Sequence, residues 1–147
     1  MLRDHPFFRN LQSLGLPVED YVISGSGPLL VHGIRRDIGD LDVVARGAAW
    51  EIAKGLGDPE EAPLGWAQRI SLMNGSIEIL NGWFGYSVDS LIAEADVFEG
   101  VRFMPLTRVL EWKSHLVESG AGRDKDVRDI ADIGEYLRMN GCSPRSR

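Results

Sequence analysis

Two aspartates, Asp40 and Asp42, lie two residues apart inside a short apolar run. Side chains at i and i+2 of a β-strand point to the same face of the sheet, so the two carboxylates would lie side by side. Close negative charges repel each other, and such a pair is costly unless a cation lies between them. Upstream, Gly25 and Ser26 end a short β-branched segment. A turn that leads into a helix can hold phosphate with its backbone N–H groups. These residues therefore predict a metal-dependent nucleotide site.

A third carboxylate, that of Glu78, belongs to the clearest hairpin of the chain. Residues 66–73 and 76–80 flank Asn74-Gly75, a strong signal for a two-residue turn. The turn predicts that Ser71 pairs with Glu78. One face of the hairpin then belongs to the core and carries Ile70, Leu72, Ile77 and Ile79, and the other carries Arg69, Ser71, Ser76 and Glu78. Glu78 is thus turned away from this core, either toward a site or as an edge-strand charge that prevents aggregation.

The remaining pattern predicts alternating short helices and strands. We expect strands at 21–24 and 40–45, helices at 29–33, 48–56 and 88–95, a loop at 57–65, a small hairpin over 97–103, and helices at 106–117 and from Asp124 to Gly141. This order predicts an α/β (α+β) fold, with a small mixed sheet and helices packed mainly on one face. We expect a single domain over residues 1–141 and a flexible basic tail at 142–147.

Composition narrows the class of protein. The chain has 147 residues, of which 44% are hydrophobic and 26% charged, as expected of one globular domain. Its net charge of −6 argues against a dedicated duplex-DNA or RNA binder, which usually carries a basic stripe. We see no apolar run of about 18 residues and no signal peptide, so the sequence predicts a cytoplasmic protein with no membrane partner.

The order of motifs resembles the nucleotidyltransferase superfamily of DNA polymerase β. The matching stretches are 22–26 (Val-Ile-Ser-Gly-Ser), 40–43 (Asp-Leu-Asp-Val) and 77–79 (Ile-Glu-Ile), and thirteen residues separate Ser26 from Asp40. Within that superfamily the chain is most similar to small, stand-alone, minimal nucleotidyltransferase-fold proteins. In those proteins a lysine-bearing helix follows the core, as Lys113 does here, and a final helix starts near a Lys-Asp pair, here Lys125-Asp126. The resemblance covers roughly residues 20–135.

The resemblance implies a two-metal Mg²⁺ site with an NTP as substrate. Hard divalent cations take oxygen ligands, and by resemblance Asp40 and Asp42 would hold metal. Glu78 would complete the site on the acceptor side or act as base toward an acceptor hydroxyl. Gly25 and Ser26 would contact the β- and γ-phosphates. The candidate phosphate-binding or charge-neutralising cations are Lys113 and, more weakly, Arg35, Arg36, Arg69, Arg123 and Lys125.

Each of these assignments has a structural alternative. The aspartate pair is also typical of a solvated strand end. Lys113 interrupts an apolar helix stripe, so it either meets substrate or pairs with Asp126 or Asp129. The four tryptophans are more typical of core or rim packing than of base stacking, although Trp83 follows the Glu78 strand and would border the cleft. Pro28 removes one N–H from the phosphate-facing turn.

The leading functional hypothesis is transfer of a nucleotidyl group from an NTP to an acceptor hydroxyl on a small molecule, protein or RNA. The alternative is a catalytically inactive nucleotidyltransferase-fold module that binds or regulates a protein partner, such as one component of a toxin–antitoxin pair. A toxin-like transferase that modifies tRNA would share the same site. A homodimer is a further possibility, because the chain has no additional domain to hold an acceptor.

Overall fold

A seven-stranded mixed sheet organises the molecule. The computed structural model describes residues 2–140, and within them the sheet is accompanied by six α-helices. The strands are β1 (Tyr21–Ser24), β2 (Leu41–Ala45), β3 (Glu60–Glu61), β4 (Gln68–Leu72), β5 (Ile77–Leu80), β6 (Asp96–Phe98) and β7 (Val101–Phe103). The helices are α1 (Pro6–Ser13), α2 (Gly27–Val31), α3 (Gly47–Lys54), α4 (Val88–Glu94), α5 (Leu106–Glu118) and α6 (Asp124–Met139). The predicted α+β class is confirmed. The predicted helix end at Gly141 and the predicted tail at 142–147 lie outside the described residues.

The spatial order of the strands is β3-β4-β5-β2-β1-β7-β6. The pairs β2–β5 and β1–β7 are parallel, and the other neighbours are antiparallel. The aspartate strand β2 therefore lies between the strand that leads into the Gly25–Ser26 turn and the strand that carries Glu78. This adjacency brings three segments from distant parts of the chain to one end of the sheet.

Alternation along the central strands produces two hydrophobic cores, one on each face. Leu41 and Val43 of β2 pack against the face covered by α1 and α3, whereas Val44 packs against the face covered by α4, α5 and α6. Leu29 of α2 joins the second face, which therefore carries more of the helices. Full burial of each such side chain is worth about 1.5–3 kcal/mol. Asp42 lies two residues before Val44, so its side chain points to the same face of the sheet and the acidic site opens on the second face.

The hairpin register predicted from the sequence is confirmed. Ile70 lies opposite Ile79, and Ser71 lies opposite Glu78. The turn itself differs from the predicted two-residue form, because the last ladder pair is Leu72 with Ile77 and the four residues 73–76 connect the strands. Met73 and Asn74 both adopt positive φ, at 52° and 57°. The register is unchanged because the longer connection is still centred on Asn74-Gly75, so the same residues lie opposite each other on the two strands.

Two local predictions were wrong. The predicted loop at 57–65 contains strand β3, which pairs with β4 through Glu60 opposite Arg69, because the edge of β4 offers free backbone groups. Asp124 does not cap the last helix. The N-cap residue is Arg123, and its backbone N–H donates to the carboxylate of Asp126 at 3.0 Å.

None of the helices in residues 2–140 combines the length and the apolar character that spanning a bilayer requires.

Candidate functional site

Three carboxylates converge at one end of the sheet. Asp42 of β2 lies directly opposite Glu78 of β5 in the parallel ladder, and Asp40 immediately precedes β2. One oxygen from each of the three side chains lies within 4.8 Å of the others, and all three residues are half-buried. Such a set of hard oxygen donors suits a divalent cation such as Mg²⁺. The structure therefore brings together the three acidic residues that the sequence singled out.

The electrostatics of this acidic triad (Asp40, Asp42 and Glu78) favour a cation. Burial, together with the negative charges of Asp40 and Glu78, raises the pKa of Asp42 from 3.8 to about 7. Burial and the neighbouring carboxyl of Asp40 likewise raise the pKa of Glu78, although the Arg69 guanidinium opposes this. Raised values mean that the protein alone does not fully stabilise three negative charges here. Nearby, the buried hydroxyl of Ser24, opposite Asp42 on β1, has no hydrogen-bond partner within residues 2–140.

The backbone at Gly25 leaves room for the Asp42 carboxylate. Gly25 adopts φ +63°, and a Cβ atom placed there would lie 2.2 Å from Asp42 Oδ2. Only a residue without a side chain tolerates both this left-handed conformation and this approach. Gly25 therefore shapes the acidic triad directly, in addition to the phosphate contact that its position in the turn predicts.

Ser26 follows as the N-cap residue of α2, but its hydroxyl makes no capping hydrogen bond. Instead, it accepts a hydrogen bond of 3.1 Å from the Nζ of Lys125, at the start of α6. Lys125 makes no ion pair with any described carboxylate. Its ammonium group is therefore held beside the Gly25–Ser26 turn and available to an anion. The helix α2 is only five residues long and contains Pro28, so its own dipole adds little at this position.

Lys113 lies in a buried ionic cluster. Its side chain is 1% exposed, and its Nζ lies 2.8 Å from Asp126 Oδ1 and 3.2 Å from Asp129 Oδ2. Although burial alone would raise it, hydrogen bonds from Lys113 and Arg123 lower the pKa of Asp126 to about 2. Arg35 extends the cluster by binding Asp129 at 2.5 Å. The two aspartates already neutralise Lys113, so a phosphate contact by its ammonium group requires this cluster to rearrange.

The other predicted cations divide between the site and the surface. Arg69 donates to Glu78 at 3.2 Å and to Glu60 at 3.0 Å, and it lines the cleft beside the acidic triad. Arg123 lines the cleft as well. Arg36 is exposed and does not line this cleft. The positive side of the site is thus built from Arg69, Arg123 and Lys125.

Aromatic side chains line another part of the same cleft. The cleft has a volume of about 560 Å³ and is lined by the acidic triad, the three cations and the side chains of Trp66, Trp83, Phe84 and Trp112. Trp66 stacks on Phe84 with ring centroids 4.2 Å apart, and Trp83 lies 4.8 Å from Trp112. We call these four residues the aromatic wall.

The sequence predicted a border role only for Trp83. For Trp66 and Trp112 the sequence predicted only core or rim packing. Their ring contacts join separate elements of the chain, so no local pattern reveals that they meet. Spacing on α5 does carry part of the signal, because Trp112 is adjacent to Lys113 and both reach the cleft.

Comparisons with known proteins reveal a structural likeness. No family model and no curated protein matches the sequence. Among solved structures, JHP933 from Helicobacter pylori aligns with a TM-score of 0.53 at 16% sequence identity, over 90% of this chain. This chain spans 65% of the length of JHP933. At that identity the likeness shows that the two proteins share a fold, and it shows nothing about their activities.

Proposed function

We propose that this protein is a Mg²⁺-dependent nucleotidyltransferase that moves a nucleotidyl group from an NTP to an acceptor hydroxyl. The observation that carries the proposal is the convergence of Asp40, Asp42 and Glu78 within 4.8 Å, beside the Gly25–Ser26 turn. The sequence resemblance to the polymerase β superfamily supports the same reading. Mg²⁺, when held by these carboxylates, would supply positive charge that stabilises the negative charge developing on the phosphate oxygens.

The donor set fits such a cation. Three carboxylates with two raised pKa values form a site where negative charge exceeds what the surrounding protein stabilises. Asp40 and Asp42 would hold metal, and Glu78 would lie on the acceptor side. Arg69 already donates a hydrogen bond to Glu78, so it would orient that carboxylate and stabilise its negative charge.

Roles for the remaining residues follow from their positions. Lys125 and Ser26 would bind the β- and γ-phosphates, because the Lys125 ammonium group already rests on the Ser26 hydroxyl beside the turn. Glu78 would accept the proton of the acceptor hydroxyl while the acceptor oxygen forms its bond to the α-phosphorus. The bond from that phosphorus to the bridging oxygen then breaks, and pyrophosphate leaves with the electron pair.

The decisive experiment is calorimetric titration of each NTP into the protein, first with Mg²⁺ and then with EDTA. We expect binding that requires Mg²⁺ in the wild type and is lost in Asp42→Asn. Asp58→Asn is the matched control, because Asp58 is exposed and lies outside the cleft, so the same charge is removed elsewhere.

Binding that is equal in EDTA, or that Asp42→Asn retains with unchanged metal dependence, would refute the metal assignment. Failure of all NTPs to bind would favour the inactive regulatory module instead, and a search for its protein partner would follow. A folded Asp42→Asn variant, checked by circular dichroism, is required before either conclusion.

A further inference from the structure

The aromatic wall extends from the acidic triad along strand β5. Glu78 and Leu80 share one face of β5, and both line the cleft. Two residues of strand span about 7 Å. Trp83 and Phe84 come directly after β5, and Trp66 reaches the same end because β4 runs antiparallel to β5. The wall therefore begins about one strand step beyond Glu78.

Three members of the wall, Trp66, Trp83 and Phe84, flank β4 and β5 and so lie on the side of the triad away from the predicted phosphate site, whereas Trp112 reaches the cleft from α5. The turn at Gly25–Ser26 follows β1, whereas Glu78 lies on β5, with β2 between them. Glu78 is the carboxylate assigned to the acceptor side. The space beside the wall is therefore next to the position of the acceptor hydroxyl and not next to the triphosphate. This step rests on the proposed function.

The tryptophans themselves carry unused hydrogen-bonding capacity. Trp83 and Trp112 are only 4% and 5% exposed, yet their indole N–H groups have no acceptor in residues 2–140, and the N–H of Trp66 has none either. Buried donors without acceptors are uncommon in folded proteins. Three of them along one cleft indicate a surface that would gain from a ligand with acceptor atoms.

We infer that the aromatic wall binds the acceptor, and that the acceptor is a small molecule in which a flat aromatic ring lies close to a hydroxyl group. The ring packs against Trp66 and Phe84, and the hydroxyl reaches Glu78. Aromatic faces favour offset or edge-on packing with a second ring over packing with a saturated group of equal size. The cleft volume of about 560 Å³ and the net charge of −6 favour a small molecule over a folded RNA.

The test uses matched pairs of alcohols that differ by one aromatic ring. Phenyl β-D-glucoside is compared with methyl β-D-glucoside, and 2-phenylethanol with ethanol, by ligand-observed NMR with and without Mg²⁺ and a non-hydrolysable ATP analogue. In the wild type we expect the ring to tighten binding about tenfold. Trp66→Leu should abolish that preference, because leucine keeps the site apolar and removes the flat ring.

Trp50→Leu is the matched control, because Trp50 lies on α3 and packs against the core of the opposite face. It should keep the full preference for the aromatic partner of each pair. Thermal melts of both variants establish that they are folded.

Three outcomes would overturn the inference. Equal binding of both members of every pair by the wild type would exclude an aromatic subsite. A preference that persists in Trp66→Leu would place the ring elsewhere. Competition between the phenyl compounds and ATP, together with weaker ATP binding in Trp66→Leu, would assign the wall to the nucleobase. These results are distinct from failure of the proposed function, which shows as loss of Mg²⁺-dependent NTP binding while the ring preference, measured without nucleotide, is unaffected.

Discussion

Replacing Asp42 with asparagine should stabilise the metal-free protein. Burial and two neighbouring carboxyls raise the pKa of Asp42 from 3.8 to about 7, so the folded state disfavours its charged form. At about 1.36 kcal/mol for each pKa unit, that difference sets an upper limit of about 4 kcal/mol. Asparagine is also a polar group that loses hydration on burial, so we expect roughly half of this limit, about 2 kcal/mol.

The pH dependence of this effect has a definite sign. Between pH 4 and pH 7 the folded state holds a proton on Asp42 that the unfolded state has released, so the free energy of unfolding of the wild type falls as pH rises. Above the folded pKa the loss is complete. Asp42→Asn removes this titration, and its advantage over the wild type should therefore be largest near pH 8 and shrink toward pH 4.

The assay is chemical denaturation in EDTA at pH 4.5, 6 and 8, with thermal melts in parallel. A gain of about 2 kcal/mol corresponds to roughly 5–8 °C in Tm for a domain of this size. Asp58→Asn, which removes an exposed charge outside the cleft, should stay within about 0.5 kcal/mol of the wild type at every pH.

Mg²⁺ should reverse the order of stabilities. A ligand that binds only the folded state at 100 times its Kd stabilises it by about 2.7 kcal/mol. The wild type should gain this stability and Asp42→Asn should not. An Asp42→Asn variant that is no more stable than the wild type in EDTA at pH 8, or that gains equally from Mg²⁺, would refute the electrostatic reasoning.

Three further substitutions separate structural from functional roles. Lys113→Met should lower the free energy of unfolding by about 3–5 kcal/mol in urea denaturation, because it removes the buried ammonium group that Asp126 and Asp129 share. A loss below 1 kcal/mol would contradict the buried cluster. Gly25→Ala should destabilise by about 1–3 kcal/mol and weaken Mg²⁺ binding in calorimetry, because its Cβ would collide with the Asp42 carboxylate. Unchanged metal affinity would argue against that contact. Lys125→Met should weaken Mg²⁺–NTP binding about tenfold while Tm shifts by less than about 2 °C, because within residues 2–140 the one hydrogen bond of the Lys125 ammonium group goes to the hydroxyl of Ser26. A variant that loses stability and keeps its NTP affinity would make Lys125 a structural residue.

Local pattern was sufficient for features that depend on neighbouring residues. The i and i+2 spacing of Asp40 and Asp42 predicts one shared face, and the turn at Asn74-Gly75 predicts the pairing of Ser71 with Glu78, which the structure confirms. The first inference rests on the two-residue period of a strand and the second on the position of the turn, and neither depends on the rest of the fold.

Tertiary structure alone decided which distant segments meet. The parallel pairing of β2 with β5 places Asp42 opposite Glu78, and the packing of α6 against α5 supplies the carboxylates that neutralise Lys113. In the same way, Lys125 reaches Ser26 across 99 positions of sequence. The spacing of residues on a helix indicates that a lysine interrupts an apolar face. It does not indicate which element of the fold packs on that face. The sequence by itself therefore determined the acidic residues, the faces they occupy and Asp126 and Asp129 as alternative partners of Lys113. How the helices pack on the sheet decided that Lys113 pairs with both aspartates, that Lys125 reaches Ser26 and that the aromatic wall forms.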